Sequence, residues 1–417
     1  MPDDVFMASP EDIDPDSHIV GVYYVESGLG LWRAGVEIAK EESIGTWTEL
    51  TTMTQRVVER LAAKVYKVDG EKRLVWVAYP LELFDLDYGG IPNLLSIVAG
   101  NLFGLSALEN VRLIDLKIPR EVTRHFPGPK FGMEGVRGLV GSRMGVPHLG
   151  TIIKPKVGLS PRETAQVAYE AAIGGVDFVK DDETLTNQPF CPLEERLSHV
   201  MEKLDQVREE TGRTVLYAVN ITAQHEAMME LADRAIEQGA NMLMVDVLTA
   251  GFSALQSLAE DPSIKLPIHV HRAMHAAITR NPRHGIHMLV LAKLVRLAGG
   301  DQLHTGTAAG KMEKEAAEVR KIDDFLRGEW NGLKTVFPVA SGGIHPGIVE
   351  ENIRLLGPDL VINAGGGIHG HPMGVRAGAR AMRQAIEAAI KGIPVEEYAK
   401  THEELRVALE KWGKKYA

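Results

Sequence analysis

The stretch that decides the fold is Gly174-Gly175-Val176-Asp177-Phe178-Val179-Lys180-Asp181-Asp182-Glu183. An apolar run at 176–179 has the character of a buried strand, and charged residues follow at its end. Lys180, Asp182 and Glu183 at a strand tip would form a compact, oxygen-rich cage suited to a hard cation such as Mg²⁺. An ammonium has no lone pair for a metal, so Lys180 is a counter-ion, a general acid or base, or a chemically modified ligand. A charged loop in which Lys180 pairs with an acid is the plain alternative.

From about residue 150 the chain repeats one pattern, an apolar run, a polar or glycine-rich tip and an amphipathic helix. The repeat length is about 30 residues, which is the length of a βαβ unit. Ser160 before Pro161 signals a helix start, and Gly174-Gly175 signals its end. Eight such units predict a closed (β/α)₈ TIM barrel. The predicted strands are residues 151–153, 176–179, 215–219, 242–245, 267–270, 303–306, 337–340 and 360–364.

The residues before the barrel lack this rhythm. Strand patterns at 19–25 and 74–77 and helix patterns at 31–42 and 54–63 predict a smaller α+β, ferredoxin-like domain with a mixed sheet. The fold class is therefore α/β, with a C-terminal barrel preceded by this domain. The predicted divisions are an acidic arm (1–17), the N-terminal domain (18–140), the barrel (141–394) and a helical extension (395–417).

Composition narrows the class of protein. The chain has 417 residues, 45% hydrophobic and 24% charged, with ample material for a core. A net charge of -10 argues against a nucleic-acid-binding surface. The single cysteine, Cys191, excludes an internal disulfide and fits a reducing cytoplasm, where we expect the protein to reside. No apolar run approaches the roughly 20 residues of a membrane span, so no membrane partner is expected.

Polar residues fall at the C-terminal tips of all eight predicted strands, where barrels of this kind carry their active sites. A set this complete argues against solvated loops. In strand order, the tips carry Lys154 and Lys156; Lys180, Asp182 and Glu183; Asn220; Asp246; His269, His271 and Arg272; His304 with the loop 306–311; Ser341, Gly342 and Gly343; and Gly365, Gly366 and Gly367.

Two features of these tips bear on the substrate. Glycine clusters after strands 7 and 8 let backbone N–H groups approach an oxyanion, which favours a phosphate site there. Arg272 and His304 could hold a second anion, so the substrate is expected to carry two phosphates. His269 and His271 have the spacing of a zinc-binding pair. Amidohydrolase barrels place such a pair on the first strand, whereas here it follows Lys180, which favours a structural role.

These residues, in this order, resemble the large subunit of ribulose-1,5-bisphosphate carboxylase/oxygenase (RuBisCO). The resemblance covers nearly the whole chain, and the HGHP and TRNPRHG segments look most like the archaeal, form III branch. The matching stretches are 41–48 (EESIGTWT), 100–104 (GNLFG), 150–160 (GTIIKPKVGLS), 174–183 (GGVDFVKDDE), 269–275 (HVHRAMH), 299–313 (GGDQLHTGTAAGKME), 340–345 (ASGGIH) and 365–372 (GGGIHGHP).

The resemblance implies roles for single residues. Lys180 would take up CO₂ as a carbamate and bind Mg²⁺ together with Asp182 and Glu183. Lys154 would act as acid and base, His271 would assist proton movement, and Lys311 would close over the site on its loop. The substrate-binding set would be Lys156, Arg272, His304, Ser341, Gly342, Gly343, Asn363, Gly365 and Gly366, with Glu41, Thr46, Trp47 and Asn101 reaching the site from a second subunit.

The implied function is that of a carboxy-lyase. It would convert ribulose 1,5-bisphosphate, CO₂ and water into two 3-phosphoglycerates, with O₂ as a competing substrate, in AMP or nucleoside breakdown. A homodimer would be the minimum unit, and dimers could assemble into larger rings. Ile152, Lys314 and Asn363 depart from the common family pattern, and they put the rate, lid motion and CO₂/O₂ preference in question. The alternatives are a RuBisCO-like enolase or isomerase of a phosphorylated sugar and a non-catalytic metabolite-binding barrel.

Overall fold

A computed structural model of the chain describes residues 3–310 and 316–414. Its strands, numbered in chain order, are β1 (His18–Glu26), β2 (Lys64–Asp69), β3 (Leu74–Pro80), β4 (Asn110–Lys117), β5 (His148–Ile152), β6 (Phe178–Lys180), β7 (Leu216–Asn220), β8 (Met242–Asp246), β9 (Ile268–His271), β10 (Gly285–Ile286), β11 (Gln302–His304), β12 (Phe337–Ser341) and β13 (Val361–Ala364).

Helices connect the strands. The α-helices are α1 (Leu31–Glu41), α2 (Gln55–Leu61), α3 (Gly90–Val98), α4 (Arg120–Thr123), α5 (Gly132–Val140), α6 (Pro161–Gly174), α7 (Leu193–Thr211), α8 (His225–Glu237), α9 (Val247–Ala250), α10 (Phe252–Glu260), α11 (His275–Thr279), α12 (Met288–Ala298), α13 (Ala316–Arg327), α14 (Val349–Leu356), α15 (Gly366–His369), α16 (Val375–Lys391), α17 (Val395–Ala399) and α18 (Glu403–Trp412). Short 3₁₀ turns lie at Asp3–Phe6, Pro10–Asp12, Leu81–Leu83, Leu102–Gly104 and Pro346–Ile348.

Eight parallel strands close into the predicted barrel. Their order is β11-β12-β13-β5-β6-β7-β8-β9, and the register pairs Ile152 with Lys180, and Lys180 with Ala218. All eight predicted strands are present, with ends that differ by a few residues. The first strand begins at His148 rather than residue 151, because His148 and Leu149 pair with Val361 and Ile362. The predicted fold class is confirmed.

The barrel interior is filled by alternate residues of its strands. Leu216 and Ala218, like Met242 and Met244, point into one buried cluster. Met133 and Val136 of α5 join this cluster, which also contains Phe178, Phe337, Val339 and Val361. Several of these residues begin their strands, so α5 covers the N-terminal end of the barrel and the functional tips lie at the opposite end.

Helix α6 begins and ends at the residues that the sequence predicted. The Ser160 hydroxyl accepts from the backbone N–H of Glu163, and the Glu163 carboxylate accepts from the backbone N–H of Ser160. This reciprocal pair satisfies N–H groups that the first helical turn leaves without partners. The helix ends at Gly175, whose φ of 116° lies in the left-handed region that glycine adopts without strain.

The N-terminal sheet is mixed, in the order β10-β4-β1-β3-β2, and only the β10–β4 pair is parallel. The sequence indicated β1 and β3 but missed β2 and β4, because charged residues interrupt the apolar pattern of both. The charged residues of β4 have hydrogen-bond partners that lie far along the chain. Arg112 donates to the carbonyl of Thr279 at 2.8 Å, and Lys293 donates to Asp115 at 2.6 Å.

The chain divides into two compact units. The first comprises Met1–Pro127 and Met274–Ala298, and the second comprises Gly128–Ala273 and Gly299–Ala417. Most of the segment between β9 and β11, Met274–Ala298, therefore belongs to the first unit, in which every residue of α12 is buried. The domain limits expected at residues 17, 140 and 394 stay predictions. Within residues 3–310 and 316–414, no helix is long and apolar enough to cross a membrane.

Candidate active site

The C-terminal end of the barrel collects the predicted site residues of the second unit. Each lies on a strand tip or in the first residues after it, as the closed strand order requires. Lys311 and Lys314 fall outside the described residues. The residues placed together at this end are Lys154, Lys156, Lys180, Asp182, Glu183, His271, Arg272, His304, Ser341, Gly342, Gly343, Asn363, Gly365 and Gly366.

Lys180 is the last residue of β6 and is completely buried. Its Nζ atom has no hydrogen-bond partner among the described residues, and the nearest acid contact is Glu183 Oε2 at 3.7 Å. Burial lowers the pKa of Lys180, and the neighbouring carboxylates of Glu183 and Asp182 offset this only in part. A buried amine without hydrogen bonds is costly for a fold, so a purely structural role explains it poorly.

Asp182 is held by two neighbours. Lys154 Nζ donates to Asp182 Oδ2 at 2.7 Å, and the Thr184 hydroxyl donates to Asp182 Oδ1 at 2.9 Å. Burial by itself would raise the pKa of Asp182, but the hydrogen bond and charge of Lys154 hold it below the usual value. The carboxylate is therefore anionic, and it lies beside Lys154 and Lys180.

Glu183 is the more accessible acid of the pair, with 26% of its side chain exposed. Its carboxylate lies 3.7 Å from His271 Nε2 and 3.8 Å from Lys156 Nζ. Burial would raise the pKa of Glu183, but His271 and Lys180 lower it. Glu183 can therefore serve as an anionic ligand that faces the open end of the barrel.

Asp246 at the tip of β8 orients His271. Their Oδ1 and Nδ1 atoms are 2.8 Å apart, and because a carboxylate only accepts, Nδ1 carries the proton. The other ring nitrogen, Nε2, then faces the acidic cluster, 3.7 Å from Glu183 Oε2. The sequence placed Asp246 at a strand tip but did not assign it to His271. The signal available was the adjacency of strands 4 and 5.

His269 is engaged on both ring nitrogens. Nδ1 lies 2.8 Å from Gln302 Oε1, and Nε2 lies 2.9 Å from His304 Nε2. Burial lowers the pKa of both His269 and His304 well below the ordinary value, so this is a neutral relay. Because His269 and His271 bond to different partners, the described residues do not support a shared zinc site.

Arg272 comes directly after His271 in the chain, and its side chain is buried. Its Nη1 atom has no hydrogen-bond partner among the described residues, and burial lowers its pKa to about 10. A Cβ on Gly306 would lie 3.0 Å from Arg272 Nη2, so the guanidinium fits beneath a backbone that has no side chain there. A buried guanidinium whose Nη1 has no hydrogen-bond partner, beside His304, is suited to an anionic group.

The loops after β12 and β13 contain glycines because their backbones lie close to neighbouring atoms. Gly342 and Gly343 have φ values of 124° and 80°, a region that side chains other than glycine rarely adopt. A Cβ on Gly310 would lie 2.4 Å from the carbonyl oxygen of Gly342, so two loops touch through backbone. A Cβ on Gly365 would lie 3.1 Å from Lys154 Cε. Bare backbone at these points gives an anion access to N–H groups.

Asn363 and Lys156 occupy contrasting environments. Asn363 on β13 is buried, and neither its Oδ1 nor its Nδ2 has a hydrogen-bond partner among the described residues. Lys156 is 58% exposed on its side chain. Both retain donors available to a ligand, one at the barrel wall and the other at its rim.

Four predicted site residues lie in the first unit. Asn101 Nδ2 donates to Glu41 Oε1 at 3.2 Å, so these two are brought together. Thr46 is partly exposed, and Trp47 is 92% exposed. The neighbouring Glu42 was missed by the sequence analysis. It accepts from the backbone N–H groups of Gly100 and Leu102, and burial raises its pKa to about 7.

The donor set at the tip of β6 fits a hard cation only after a change at Lys180. The described residues contain no group of three His, Cys, Asp or Glu side chains able to hold a metal ion. Asp182 and Glu183 supply two anionic ligands, and the orphaned Nζ of Lys180 occupies the third position. Addition of CO₂ to this amine would replace it with a carboxylate-like group, which is the oxygen donor that Mg²⁺ prefers.

Comparison with known proteins gives a consistent result. Residues 136–412 match the family model "Ribulose bisphosphate carboxylase large chain, catalytic domain", and residues 9–122 match the corresponding N-terminal domain. Ribulose bisphosphate carboxylase of Pyrococcus abyssi is 48% identical over 95% of this chain and 94% of its own.

Two solved structures superpose on nearly the whole chain. Octameric ribulose-1,5-bisphosphate carboxylase/oxygenase from Pyrococcus horikoshii OT3, in complex with sulfate, has a TM-score of 0.93 at 45% identity and covers 99% of this chain and 97% of its own. Dimeric archaeal Rubisco from Hyperthermus butylicus has a TM-score of 0.90 at 42% identity, with 99% and 100% covered.

Proposed function

The chain belongs to the ribulose bisphosphate carboxylase large-chain family, and we propose that it catalyses Mg²⁺-dependent addition of CO₂ and water to ribulose 1,5-bisphosphate. The products are two molecules of 3-phosphoglycerate, and O₂ competes with CO₂. The observation that carries this function is the buried, unpartnered Nζ of Lys180 beside Asp182 and Glu183.

The first step is modification of the enzyme itself. The neutral amine of Lys180 attacks the carbon of CO₂, a new N–C bond forms, and the nitrogen loses a proton to solvent. The product is a carbamate that carries one negative charge. Burial lowers the pKa of Lys180, which raises the fraction of the free amine that can attack CO₂.

The carbamate oxygens, Asp182 and Glu183 are the proposed ligands of one Mg²⁺ ion. When bound, this ion supplies Lewis-acid stabilisation of the negative charge that develops on the substrate oxygens. Glu183 faces the open end of the barrel, whereas Asp182 lies deeper beside Lys154. Glu183 would therefore hold the ion from the side that is open to the substrate, and Asp182 from the deeper side.

Two side chains are placed to move protons. Lys154 Nζ hydrogen-bonds to Asp182 and can hold a proton at the edge of the ligand set. His271 has Nδ1 fixed by Asp246, so its Nε2 is the atom that takes up or releases a proton toward the substrate. Positioned groups of this kind contribute to catalysis because they reach the reacting atoms without reorganisation.

The two phosphate groups of the substrate are assigned to separate anion sites. Backbone N–H groups of Gly342, Gly343, Gly365 and Gly366 form one site, supported by the positive φ angles of the first two. Arg272 and His304 form the other site, supported by the unpartnered Nη1 of Arg272. Ser341, Asn363 and Lys156 complete the proposed binding set. A bisphosphate would span the mouth of the barrel between these sites.

The remaining roles rest on the family resemblance. Lys311 closes over the substrate and excludes water, and Glu41, Thr46, Trp47 and Asn101 complete the site of a second subunit. The exposed Trp47 supports this assignment because its indole is open to a partner, and the Glu41–Asn101 hydrogen bond supports it because it holds two of the four residues side by side. We therefore propose a homodimer as the working unit, and light scattering after size-exclusion chromatography tests it.

The function is tested with purified protein preincubated with bicarbonate and Mg²⁺. Addition of ribulose 1,5-bisphosphate and labelled CO₂ under anaerobic conditions is expected to give labelled 3-phosphoglycerate. Lys311→Ala serves as the matched variant, since carboxylation should fall severely while exchange of the substrate's C3 proton with solvent should persist. A wild-type protein that exchanges this proton but fixes no CO₂ would instead be an enolase or isomerase.

The cellular role is proposed to be breakdown of AMP or nucleosides, which rests on the archaeal, form III resemblance. Extracts of the source organism supplied with AMP and labelled bicarbonate are expected to form labelled 3-phosphoglycerate. Loss of labelled 3-phosphoglycerate after the protein has been removed with an antibody would link the protein to this pathway. Unchanged labelling after depletion would contradict the assignment.

A further inference from the structure

Asp181, the middle residue of the Lys-Asp-Asp-Glu segment, has no place in the chemistry above. It is completely buried and points away from its neighbours Lys180 and Asp182, because successive side chains of an extended segment alternate in direction. Behind the strand, the Tyr217 hydroxyl donates to Asp181 Oδ1 at 2.5 Å, and Arg196 Nη2 donates to Oδ2 at 3.1 Å. The backbone N–H of Asn220 donates to Oδ2 at 2.9 Å.

Arg196 of helix α7 connects this acid to the loop that follows it. The side chain is completely buried and donates from Nη1 to the carbonyl of Cys191 at 2.7 Å. Its Nη2 also donates to the carbonyl of Thr186 at 2.8 Å, and Nε donates to the Tyr217 hydroxyl at 3.2 Å. One guanidinium therefore fastens both ends of the 186–191 segment to the back of β6.

Asn220 at the tip of β7 holds the ligand residues from the other side. Its Nδ2 group lies 3.4 Å from the carbonyl oxygen of Asp182 and 3.3 Å from that of Glu183. Its Oδ1 accepts from the Thr222 hydroxyl at 2.6 Å, which sets the direction of the amide. The backbone ladder of β6 continues as far as the Asp181 N–H, which donates to the carbonyl of Ala218, and beyond it the amide of Asn220 contacts the backbone of Asp182 and Glu183.

We propose that Asp181, Arg196 and Tyr217 are positioning residues that hold the metal-ligand segment at Asp181 and the loop that follows it at Thr186 and Cys191, so that Lys180 and Asp182 both face the barrel interior. The inference rests on the proposed function, since it concerns the same ligand set. None of the three side chains touches the substrate. They act through the backbone of residues 180–183.

Two physical effects make this arrangement favourable for the ligand set. The first is geometric, because a segment fixed at its back presents its ligands without an ordering cost when the cation arrives. The second is electrostatic. Carbamate formation adds a negative charge to a segment that already carries Asp182 and Glu183, and Arg196 compensates the third carboxylate, Asp181, at 3.1 Å. An uncompensated Asp181 would oppose the new charge at close range.

Carbamate formation can be measured without turnover. The protein is equilibrated with ¹³C-labelled bicarbonate and Mg²⁺, and the carbamate carbon is followed by ¹³C NMR, which gives the half-saturating bicarbonate concentration. Calorimetric titration with Mg²⁺ at fixed bicarbonate gives the metal affinity. The variants are Tyr217→Phe, which removes only the hydroxyl, and Arg196→Lys, which keeps the charge but loses the fork of donors.

Each variant has a matched control elsewhere in the fold. Tyr79→Phe also removes a fully buried hydroxyl, one that bonds to Tyr23 at 2.8 Å in the N-terminal sheet. Arg213→Lys weakens contacts to Asp177 and to the carbonyl of Ala172, around the start of β6 rather than its tip. Both controls are expected to lower the melting temperature and leave carbamate formation unchanged.

The expected result is a rise of about 10-fold in the half-saturating bicarbonate and Mg²⁺ concentrations for Tyr217→Phe and Arg196→Lys, the usual size of effects from residues behind metal ligands. Variants that match the wild type in both titrations, with only a lower melting temperature, would overturn the inference. A wild-type protein that forms no carbamate would instead refute the proposed function. If Arg196→Lys does not fold, Tyr217→Phe decides the question.

Discussion

Asp323→Asn is expected to stabilise the protein increasingly as the pH rises. Asp323 lies on α13 and is completely buried, and neither carboxylate oxygen has a hydrogen-bond partner among the described residues. Burial raises its pKa from 3.8 to about 7, since the nearby Thr305 hydroxyl, Arg327 and Arg272 offset only part of the desolvation cost. The folded chain therefore retains a proton that the unfolded chain has lost.

The sign and size of this pH effect on stability follow from proton linkage. Because the folded-state pKa exceeds the unfolded value, the contribution of Asp323 to stability is complete below pH 4 and is lost as the pH rises toward 7. Each unit of raised pKa corresponds to about 1.4 kcal/mol, so the ionisable side chain costs the fold about 3 kcal/mol more at pH 8 than at pH 5. An asparagine of the same shape cannot ionise and avoids that additional cost.

The assay is urea unfolding followed by far-ultraviolet circular dichroism at pH 5, 6, 7 and 8, at one protein concentration because association affects apparent stability. Asp324→Asn is the matched control. Burial would raise the pKa of Asp324, but hydrogen bonds from Arg327 and Arg320 lower it, so its contribution stays constant over this range. A free-energy difference between Asp323→Asn and wild type that is flat from pH 5 to pH 8 would refute the reasoning.

Four further substitutions test other parts of the structure. Lys180→Met should abolish the ¹³C carbamate signal and carboxylation. It should also raise the free energy of unfolding by about 1 to 3 kcal/mol, because it removes a buried amine that has no hydrogen-bond partner. A variant less stable than the wild type would contradict this prediction. Gly150→Ala should lower stability by about 1 to 3 kcal/mol, since its Cβ would lie 2.6 Å from Phe178 Cδ1. Gly138→Ala, a helical site with open space, should instead gain about 0.5 to 1 kcal/mol, and equal urea midpoints for the two would be inconsistent with the packing. Ser160→Ala should cost about 1 kcal/mol through loss of the capping box, measured by thermal unfolding, and no change would show the cap to be redundant.

The barrel was predictable because its signals are local. A buried parallel strand is an apolar run, and a helix start such as Ser160-Pro161 is a short motif, so both are visible within a few residues. Strand ends were less predictable. The three additional residues at the start of β5 are strand because they pair with β13, which lies more than 200 residues further along the chain.

The N-terminal sheet illustrates the opposite case. Strands β2 and β4 carry lysine, arginine and aspartate at positions that an isolated strand would expose, so their patterns did not read as strands. Arg112 and Asp115 are accommodated because Thr279 and Lys293 supply partners from the segment between β9 and β11. No local pattern contains that information, since the partners are about 170 residues away.

The active site shows the same division. The sequence by itself determined which residues occupy the strand tips, and therefore that Lys180, Asp182 and Glu183 meet the residues of the other seven tips. Only the tertiary structure decided their partners: Asp246 for His271, Gln302 and His304 for His269, and the Arg196–Tyr217 pair for Asp181. The physical reason is range. The alternation of side chains along a strand and the length of the strand are set by residues that are neighbours in sequence. The hydrogen-bond partner of a buried charge or imidazole ring is instead the group that the closed barrel places beside it, which can come from anywhere in the chain.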